Sequence, residues 1–309
     1  MAERLVWLNG AFVPEAEAAL PIRDLGLIYG DAVFDTARTF GGKLFMGAEH
    51  VDRLYRSLAA VRLPEPMPKA ELLALTEELI VRNEPALRPG EDWWVTQRIT
   101  AGLRPLDGEP VVQEGPTVLI ECTPLPLRAR ARFFAEGIPA AMARRPRTPP
   151  EAVPPHAKTT NYLNMMLAQR ELDELRPGAW AILPDMAGML AEGAGCNIFV
   201  VKDGTVLTPA DTVALPGVTR GVVIDLCQDL GLPLRIGPVS PEVARSADEG
   251  FLTSTSLCLC PLRSFDDTAL PVPGPVTARL MAAFSERVGF DYVAQYLSFM
   301  SGGAAHSGL

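Results

Sequence analysis

Five prolines between residues 146 and 155 exclude a regular helix or strand from that part of the chain. The segment Pro155–Tyr162 follows them, and apolar residues then recur at helical spacing. Lys158 therefore stands at the mouth of a predicted helix, and it is the only lysine between Lys69 and Lys202. A lone lysine is usually a solvated surface group, so the surrounding motifs decide whether this one has a chemical role.

The composition indicates a globular protein with two domains. The chain has 309 residues, of which 48% are hydrophobic and 21% are charged, so it can bury a sizeable core. The formal net charge of -9 and the lack of a basic stripe exclude nucleic acid as the main partner. No run approaches the roughly 20 apolar residues that span a bilayer, so we expect no membrane partner.

The cysteines indicate a reducing compartment. Their number, five, is odd, they are scattered, and with the three histidines they form no zinc spacing. We therefore predict no metal site. The first ten residues lack a basic region followed by an apolar run, so no signal peptide is expected. These features together predict a soluble, cytoplasmic protein.

The first part of the chain, residues 1–123, is predicted to be a small N-terminal α/β domain. Asn9-Gly10 is a strong turn signal between two short apolar strands. Strands are also predicted at 31–40, 43–46, 93–101 and 116–123, and helices at 49–61 and 69–83. Hairpins packed by helices give an α+β arrangement.

Residues 124–132 contain prolines and an arginine run, and they are interpreted as a solvated interdomain linker. A larger, β-rich domain with helices is predicted over 133–300, with a disordered tail over 301–309. Its predicted strands are 180–184, 189–192, 197–201, 206–207 and a strand within 249–261. A helix is predicted over 219–230, with Gly231 at its C-terminal end, and a final helix over 276–288.

Four further features of the sequence could, like Lys158, take part in binding a ligand. Glu192 ends an apolar strand and precedes small residues, which allow a flat ligand to approach. Leu215–Gly221 is a tight turn opening a helix, where free N–H groups with Thr219 as N-cap would bind an anion. The hydroxyl cluster Thr253–Ser256 could also grip an anion, and Arg53 lies on a predicted helix. Individually, these features could equally be a solvated acid, an ordinary capped helix, a polar turn and a surface ion pair.

Together they resemble the class IV, or fold type IV, pyridoxal-phosphate enzymes. This group includes the branched-chain and D-amino-acid aminotransferases and aminodeoxychorismate lyase. The most specific marks are His50–Leu54, Glu192–Phe199 and Leu215–Arg220, in this order and spacing. The resemblance covers nearly the whole chain and implies a two-domain α+β fold like that of D-amino-acid aminotransferase, with pyridoxal 5′-phosphate as cofactor.

The resemblance also implies the roles of the cofactor-binding residues. Lys158 would form the Schiff base with the cofactor aldehyde and then move the substrate proton. Glu192 would keep the pyridine nitrogen protonated. Leu215 would pack on the ring face, and Tyr162 would hydrogen-bond the ring hydroxyl. The phosphate would be held by Arg53, the N–H groups of Val218 and Thr219, and the Thr255 hydroxyl.

Substrate residues are expected on two strands. Trp94, Thr96 and Arg98 share one strand face by two-residue alternation. Branched-chain enzymes tend to have tyrosine and arginine where Trp94 and Thr96 stand, so Arg98 could bind the substrate carboxylate or form a structural ion pair. The remaining predicted substrate residues are Phe34, Arg38 and Ser256. In the motif Phe34-Asp35-Thr36-Ala37-Arg38, Asp35-Thr36 replaces the usual Glu-Gly, and the bulkier Thr36 should narrow the pocket.

The resemblance leaves more than one substrate class open. We expect an aminotransferase that acts on an aliphatic, branched-chain L-amino acid and a 2-oxo acid such as 2-oxoglutarate. An (R)-selective amine or D-amino-acid aminotransferase is the alternative, because of the departures in the pocket. The short spacing from Lys158 to Asn161 resembles the D-amino-acid and lyase branches, whereas Tyr162 itself resembles the branched-chain enzymes. The Arg-x-His pattern of D-amino-acid enzymes is absent near 106–108. The related (R)-amine enzymes rely on a loop arginine in this area, for which Arg104 is the only, displaced, candidate. A lyase or a non-catalytic cofactor-binding protein are weaker alternatives. The resemblance also implies a homodimer.

Overall fold

The computed structural model describes residues 2–108 and 113–300, so the predicted tail over 301–309 lies outside the described residues. The chain divides into two compact units. The first is Met1–Leu125 with His156–Asn161, and the second is Pro126–Pro155 with Tyr162–Leu309. The segment that carries Lys158 thus groups with the first unit, whereas the sequence assigned it to the 133–300 domain. The reason is backbone pairing with a strand of the first unit, described below.

The first unit alternates strands and helices much as predicted. Its strands are β1 (Leu5–Leu8), β2 (Ala11–Pro14), β3 (Ala32–Phe40), β4 (Lys43–Leu44), β5 (Trp93–Thr100) and β6 (Thr117–Pro124). Its helices are α1 (Leu25–Tyr29), α2 (Gly47–Val61) and α3 (Lys69–Asn83). Asn9 and Gly10 both have positive φ, as the predicted tight turn between β1 and β2 requires.

These strands form one antiparallel sheet in the order β2-β1-β6-β5-β3-β4. The apolar stripes of α2 and α3 pack with one face of it, in a core that includes Leu54, Leu79, Trp93 and Val95. Burial of each such side chain contributes about 1.5–3 kcal/mol. Because side chains alternate along β5, the residues between the core positions point to the opposite, less buried face.

The second unit is richer in strands. They are β7 (Ile138–Met142), β8 (Trp180–Pro184), β9 (Leu190–Gly193), β10 (Cys196–Lys202), β11 (Thr205–Thr208), β12 (Leu234–Ile236), β13 (Glu249–Ser254), β14 (Cys258–Phe265) and β15 (Thr268–Ala269). Its helices are α4 (Leu127–Glu136), α5 (Leu163–Leu175), α6 (Val218–Asp229), α7 (Pro241–Arg245), α8 (Pro275–Val288) and α9 (Tyr292–Ser298).

Six strands of this unit close into a ring. The order runs β10-β13-β14-β7-β8-β9, and β9 pairs with β10 to complete the circle. The pairings of β7 with β14 and with β8 are parallel, and the others in the ring are antiparallel. The ring places Leu183, Glu192, Asn197 and Thr253 in one cross-strand row.

Three predictions about these elements are wrong. Residues 127–132 of the predicted linker are not irregular, because Leu127, Ala131 and Phe134 give the stretch a buried helical face in α4. The helix ending at Val288 is not the last one, since Gly289 in a left-handed conformation ends it and α9 follows. The single strand expected within 249–261 is a hairpin of β13 and β14. Among the described residues, no helix is long and apolar enough to cross a bilayer.

Candidate active site

The main chain around Lys158 is pinned to strand β3. Its carbonyl accepts a hydrogen bond from the Phe34 amide at 3.0 Å, and Thr159 forms a β-bridge with Val33. Its amide donates to the hydroxyl of Ser57 on α2 at 3.0 Å. The half-buried ammonium group lies 4.4 Å from the centroid of the Phe34 ring. An aromatic face at that distance attracts a lysine ammonium group.

Arg53 is buried rather than a surface ion pair. It lies on α2 one turn after His50, so both side chains point to the same face of the helix. Its Nε and Nη2 donate to the two carboxylate oxygens of Asp35 at 2.7 Å each, and His50 Nδ1 lies 2.7 Å from Asp35 Oδ1. Asp35, which stands where the family usually has glutamate, therefore holds Arg53, the predicted phosphate-binding arginine, in place.

The pKa values of Asp35 and His50 are both lowered in this cluster. Burial alone would raise the pKa of Asp35, but the charge and hydrogen bonds of Arg53, with a smaller contribution from His50, hold it well below its usual range. Burial lowers the pKa of His50, which Asp35 only partly offsets, so the imidazole is neutral at neutral pH. A neutral ring beside an ionised carboxylate donates from Nδ1–H. Asp35 is thus an acceptor for both neighbours.

The predicted substrate residues of the first unit share one sheet face. Phe34 is paired with Arg98, Thr36 with Thr96 and Arg38 with Trp94 across β3 and β5. The hydroxyls of Thr36 and Thr96 lie 3.2 Å apart. The face is buried at Thr36 and Arg38 and half-buried at its other positions. It combines two aromatic rings with two hydroxyls and two guanidinium groups.

The two arginines on this face differ in their surroundings. Arg38 is buried, its Nε donates to the Thr39 carbonyl at 3.0 Å, and its guanidinium stacks 4.0 Å above the Phe40 ring. Arg98 is about one-third exposed and donates to Glu121 at 3.2 Å. The ion-pair alternative for Arg98 is therefore present in the structure. Arg104 is exposed.

Glu192 is the centre of a polar cluster in the second unit. It lies near the end of β9 and is 4% exposed. Arg147 Nε donates to its Oε1 at 2.5 Å, and the Leu215 amide donates to its Oε2 at 2.9 Å. Asn197, opposite it on β10, approaches Oε2 at 3.4 Å and donates to the Leu215 carbonyl at 2.9 Å. The strand-end acid is therefore buried, ionically paired and tied to the turn at Leu215.

Sequence reasoning missed Arg147. Its side chain reaches across 45 positions to Glu192, and its Nη2 lies 3.4 Å from the Pro155 carbonyl. The only local signal was an arginine standing among prolines in a segment that cannot form regular structure. A buried acid needs a positively charged or hydrogen-bonding partner, so an acid at the end of an apolar strand, such as Glu192, was itself a signal that such a partner exists.

Helix α6 begins one residue earlier than predicted and without a side-chain cap. Gly217 is its N-cap residue, and Thr219 is the second helical residue, so the assignment of Thr219 as N-cap is wrong. The N–H groups of Val218 and Thr219 still lack a carbonyl partner within the helix, because the first turn of any helix does. They can therefore receive an anion. A Cβ at Gly217 would lie 2.2 Å from Asn197 Oδ1, so only glycine lets the turn approach this asparagine.

Thr255 and Ser256 lie in the turn between β13 and β14. Thr255 is half-buried, whereas the buried Ser256 hydroxyl accepts a hydrogen bond from Arg130 of α4. Burial lowers the pKa of Arg130, another residue that sequence reasoning treated as solvated. Tyr162 is half-buried at the N-cap position of α5.

The residues present suit pyridoxal phosphate. The Thr253 hydroxyl is fully buried next to Asn197 in the cross-strand row, and the described part of the chain supplies it with no hydrogen-bond partner. A buried hydroxyl of this kind needs a polar neighbour. The same row holds the buried carboxyl group of Glu192, an acceptor that suits a protonated ring nitrogen. The uncapped start of α6 suits a phosphate.

Comparison with known proteins decides the family. The amino-transferase class IV profile matches residues 32–265. The chain belongs to the class IV aminotransferases. This membership confirms the sequence-based predictions of the family, of an aminotransferase and of pyridoxal 5′-phosphate as its cofactor.

Individual relatives of this aminotransferase are similar over their whole length. The branched-chain-amino-acid aminotransferase of Escherichia coli K12 is 32% identical over 288 residues, which are 90% of this chain and 91% of the relative. The D-alanine aminotransferase of Listeria monocytogenes 10403S is 28% identical over 287 residues, 92% of this chain and 96% of the relative. The solved T.th. branched-chain amino acid aminotransferase, complexed with N-(5′-phosphopyridoxyl)-L-glutamate, superposes with a TM-score of 0.81. It is 29% identical, covering 93% of this chain and 95% of the solved one. The predicted fold class is confirmed by this likeness.

Proposed function

We propose that this aminotransferase moves the amino group of an aliphatic, branched-chain L-amino acid to a 2-oxo acid such as 2-oxoglutarate, with pyridoxal phosphate as its cofactor. The observation that carries the proposal is the environment of Glu192, a buried carboxylate paired with Arg147. A protein that merely stored the cofactor would have no need for a buried acid paired with an arginine. When bound, pyridoxal phosphate supplies an aldehyde for the amino group and a ring that accepts electrons from Cα.

The cofactor-binding residues have different proposed roles. Lys158 would hold the cofactor through Nζ and would then carry the proton that leaves the substrate Cα. Glu192 would face the ring nitrogen and keep it protonated, and its carboxyl group is held in place by the hydrogen bond from Arg147. Leu215 would pack against the ring, and Tyr162 would bind its hydroxyl. The phosphate would be bound by Arg53, the Val218 and Thr219 N–H groups, and Thr255.

The substrate preference is supported by the face formed by β3 and β5. Phe34 and Trp94 offer apolar surface to an aliphatic side chain, while Thr36 limits the space beside them. Arg38, Thr96, Arg98 and Ser256 are the polar groups that we assign to the substrate. The substrate of the E. coli relative, given by its name, agrees with this choice.

A half-reaction screen tests the proposal. Purified enzyme loaded with pyridoxal phosphate is mixed with L-leucine, D-alanine or (R)-1-phenylethylamine, and the loss of the visible band is followed. We expect L-leucine to react fastest, and Lys158→Ala to retain cofactor but show no turnover. Lys202→Ala, which changes a surface lysine paired with Asp248, is the matched control. Full activity of Lys158→Ala would refute the mechanism.

The second candidate is a D-amino-acid or (R)-amine aminotransferase. It is favoured by Thr96, which leaves the β5 face without an arginine at that position, and by the likeness to the Listeria D-alanine enzyme. Faster reaction of D-alanine or the (R)-amine than of L-leucine would select it. Release of product without conversion of the cofactor to its amine form would select the lyase.

We also propose that the enzyme is a cytoplasmic homodimer. Ile22, Leu27 and Tyr29, on and just before α1, expose 84%, 63% and 63% of their surface. An exposed apolar group of this size is typical of an association surface. Light scattering after size exclusion should give twice the mass of one chain, and Ile22→Glu with Leu27→Glu should give a monomer. All five cysteines are buried free thiols, which supports a reducing compartment.

A further inference from the structure

A single buried hydroxyl connects the helix of Arg53 to the main chain of Lys158. Ser57 lies on α2 one turn after Arg53 and has no exposed surface. Its Oγ donates to the Arg53 carbonyl at 2.9 Å, which is the usual bond of a mid-helix serine to the residue four positions earlier. The same oxygen accepts the Lys158 amide at 3.0 Å.

The bond to Ser57 completes the restraint of the Lys158 peptide. On its other side, the Lys158 carbonyl accepts from the Phe34 amide at 3.0 Å, and the Thr160 amide donates to the Ala32 carbonyl at 3.0 Å. Strand β3 therefore holds the segment through the Lys158 carbonyl and the Thr160 amide, and α2 holds it through the Lys158 amide. Because the main chain is held on both sides, it moves less, and the positions that the Lys158 amine can reach are fewer.

We propose that Ser57 is a positioning residue, which sets the place of the Lys158 amine by holding its main chain to the helix that carries Arg53. This inference rests on the proposed function, since it matters only if Lys158 carries the chemistry. Removal of the hydroxyl leaves a buried amide without its acceptor, and an unmade hydrogen bond of this kind has a larger effect than the bond's net contribution to stability. The Lys158 segment should then loosen while the Arg53–Asp35 pair stays in place.

A matched residue exists for the control. Thr76 on α3 is also fully buried, donates to the carbonyl four residues earlier at 2.7 Å, and accepts from Gln97 Nε2 at 3.1 Å. Its hydroxyl therefore donates one bond and accepts one, as that of Ser57 does, but the donor to it is a side chain of β5 and not the Lys158 main chain. Thr76→Val removes these bonds and keeps the side-chain volume.

Hydrogen exchange of the holoenzyme, followed by mass spectrometry, tests the inference directly. In Ser57→Ala, the Lys158 amide should exchange about tenfold faster or more, while amides of β5 keep their rates. The pH titration of the visible band should shift, and kcat should fall about tenfold with KM changed less than about twofold. Thr76→Val should change none of these values. Ser57→Cys, which keeps the size but accepts hydrogen bonds weakly, should be intermediate and serves if the alanine variant does not fold.

Two outcomes would overturn the inference. Wild-type exchange and kcat in both Ser57 variants would show that the hydroxyl does not position Lys158, and equal losses in Thr76→Val would show a general effect on the core. Borohydride reduction of the wild type separates this failure from that of the proposed function. If the cofactor mass is found on Lys158, only the role of Ser57 is refuted. If it is found elsewhere, the proposed function and this inference both fail.

Discussion

Arg147 donates a hydrogen bond from Nε to Glu192 Oε1 at 2.5 Å, and the two side chains are only 10% and 5% exposed. The pair is isolated from water, so each charge depends on the other. The Leu215 amide adds a second donor to the same carboxylate. The acid that we assign to the ring nitrogen is thus held from two directions by its own chain.

Loss of Arg147 should therefore affect both stability and catalysis. Arg147→Met leaves Glu192 buried without a counter-charge, which should lower the free energy of unfolding by about 3 kcal/mol and kcat at least about tenfold. Urea unfolding and steady-state kinetics measure the two effects. Arg144→Met, an exposed arginine of the same segment, should change neither. A stable and fully active Arg147→Met would contradict the assigned role.

His50 should make the protein less stable as the pH falls. Its pKa is lower in the folded chain than in the unfolded one, so below about pH 6.5 the unfolded chain binds the extra proton. Between pH 6.5 and 5.5, this difference should remove up to about 1 kcal/mol from the free energy of unfolding. Urea titrations of the wild type and His50→Gln should show that the variant loses this slope.

His156→Gln is the control for this experiment, because His156 is exposed. It should keep the wild-type slope between pH 6.5 and 5.5. Equal slopes for the wild type and His50→Gln would mean that His50 takes up its proton equally well in the folded protein.

Two glycines near the start of α6 should respond in opposite ways to alanine. Gly217→Ala places a Cβ 2.2 Å from Asn197 Oδ1, so it should destabilise the protein and weaken cofactor binding at least about tenfold. Gly221→Ala meets no atom within 4 Å and lies inside the helix, so it should stabilise by roughly 0.5–1 kcal/mol. Thermal unfolding and cofactor titration distinguish them. Equal behaviour would sink the close-approach argument.

The pairing of Arg98 with Glu121 makes the role of Arg98 testable. A partly exposed ion pair contributes at most about 1 kcal/mol, so Arg98→Ala should cost little stability. If Arg98 binds the substrate carboxylate, its loss should raise KM for L-leucine more than about tenfold, while Glu121→Gln should lower KM. If the ion pair is its whole role, neither variant should move KM more than about threefold. We expect the first result, and the second would remove Arg98 from the substrate site.

The sequence predicted best those features that depend on neighbours in the chain. Helix α3 runs from Lys69 to Asn83 as predicted, because its periodic apolar face and the proline before it are local signals. The turn at Asn9-Gly10 is another such feature. The motif of His50 and Arg53 was also visible, since both lie on one helix.

Features that depend on distant contacts were not predictable in this way. Arg130 was interpreted as solvated, because it belongs to a run of alternating arginines. That run hides the helical spacing of the buried apolar residues of α4. Asp35 was noticed only as a departure from a pattern, although it accepts three hydrogen bonds from His50 and Arg53. The partner of Glu192 is 45 positions away, and no local periodicity reports such a distance. Burial of a charge is decided by the tertiary fold, which composition does not encode.

The closed circle of strands in the second unit has a consequence for how this enzyme can diverge. A strand in an open sheet can slip past one neighbour, but β9 is hydrogen-bonded on both sides, to β8 and to β10. Displacing Glu192 along the sheet would require two ladders to break register together. Insertions in the connecting loops are therefore absorbed at the rim, and evolution can reshape what enters the enzyme while the acid keeps its place.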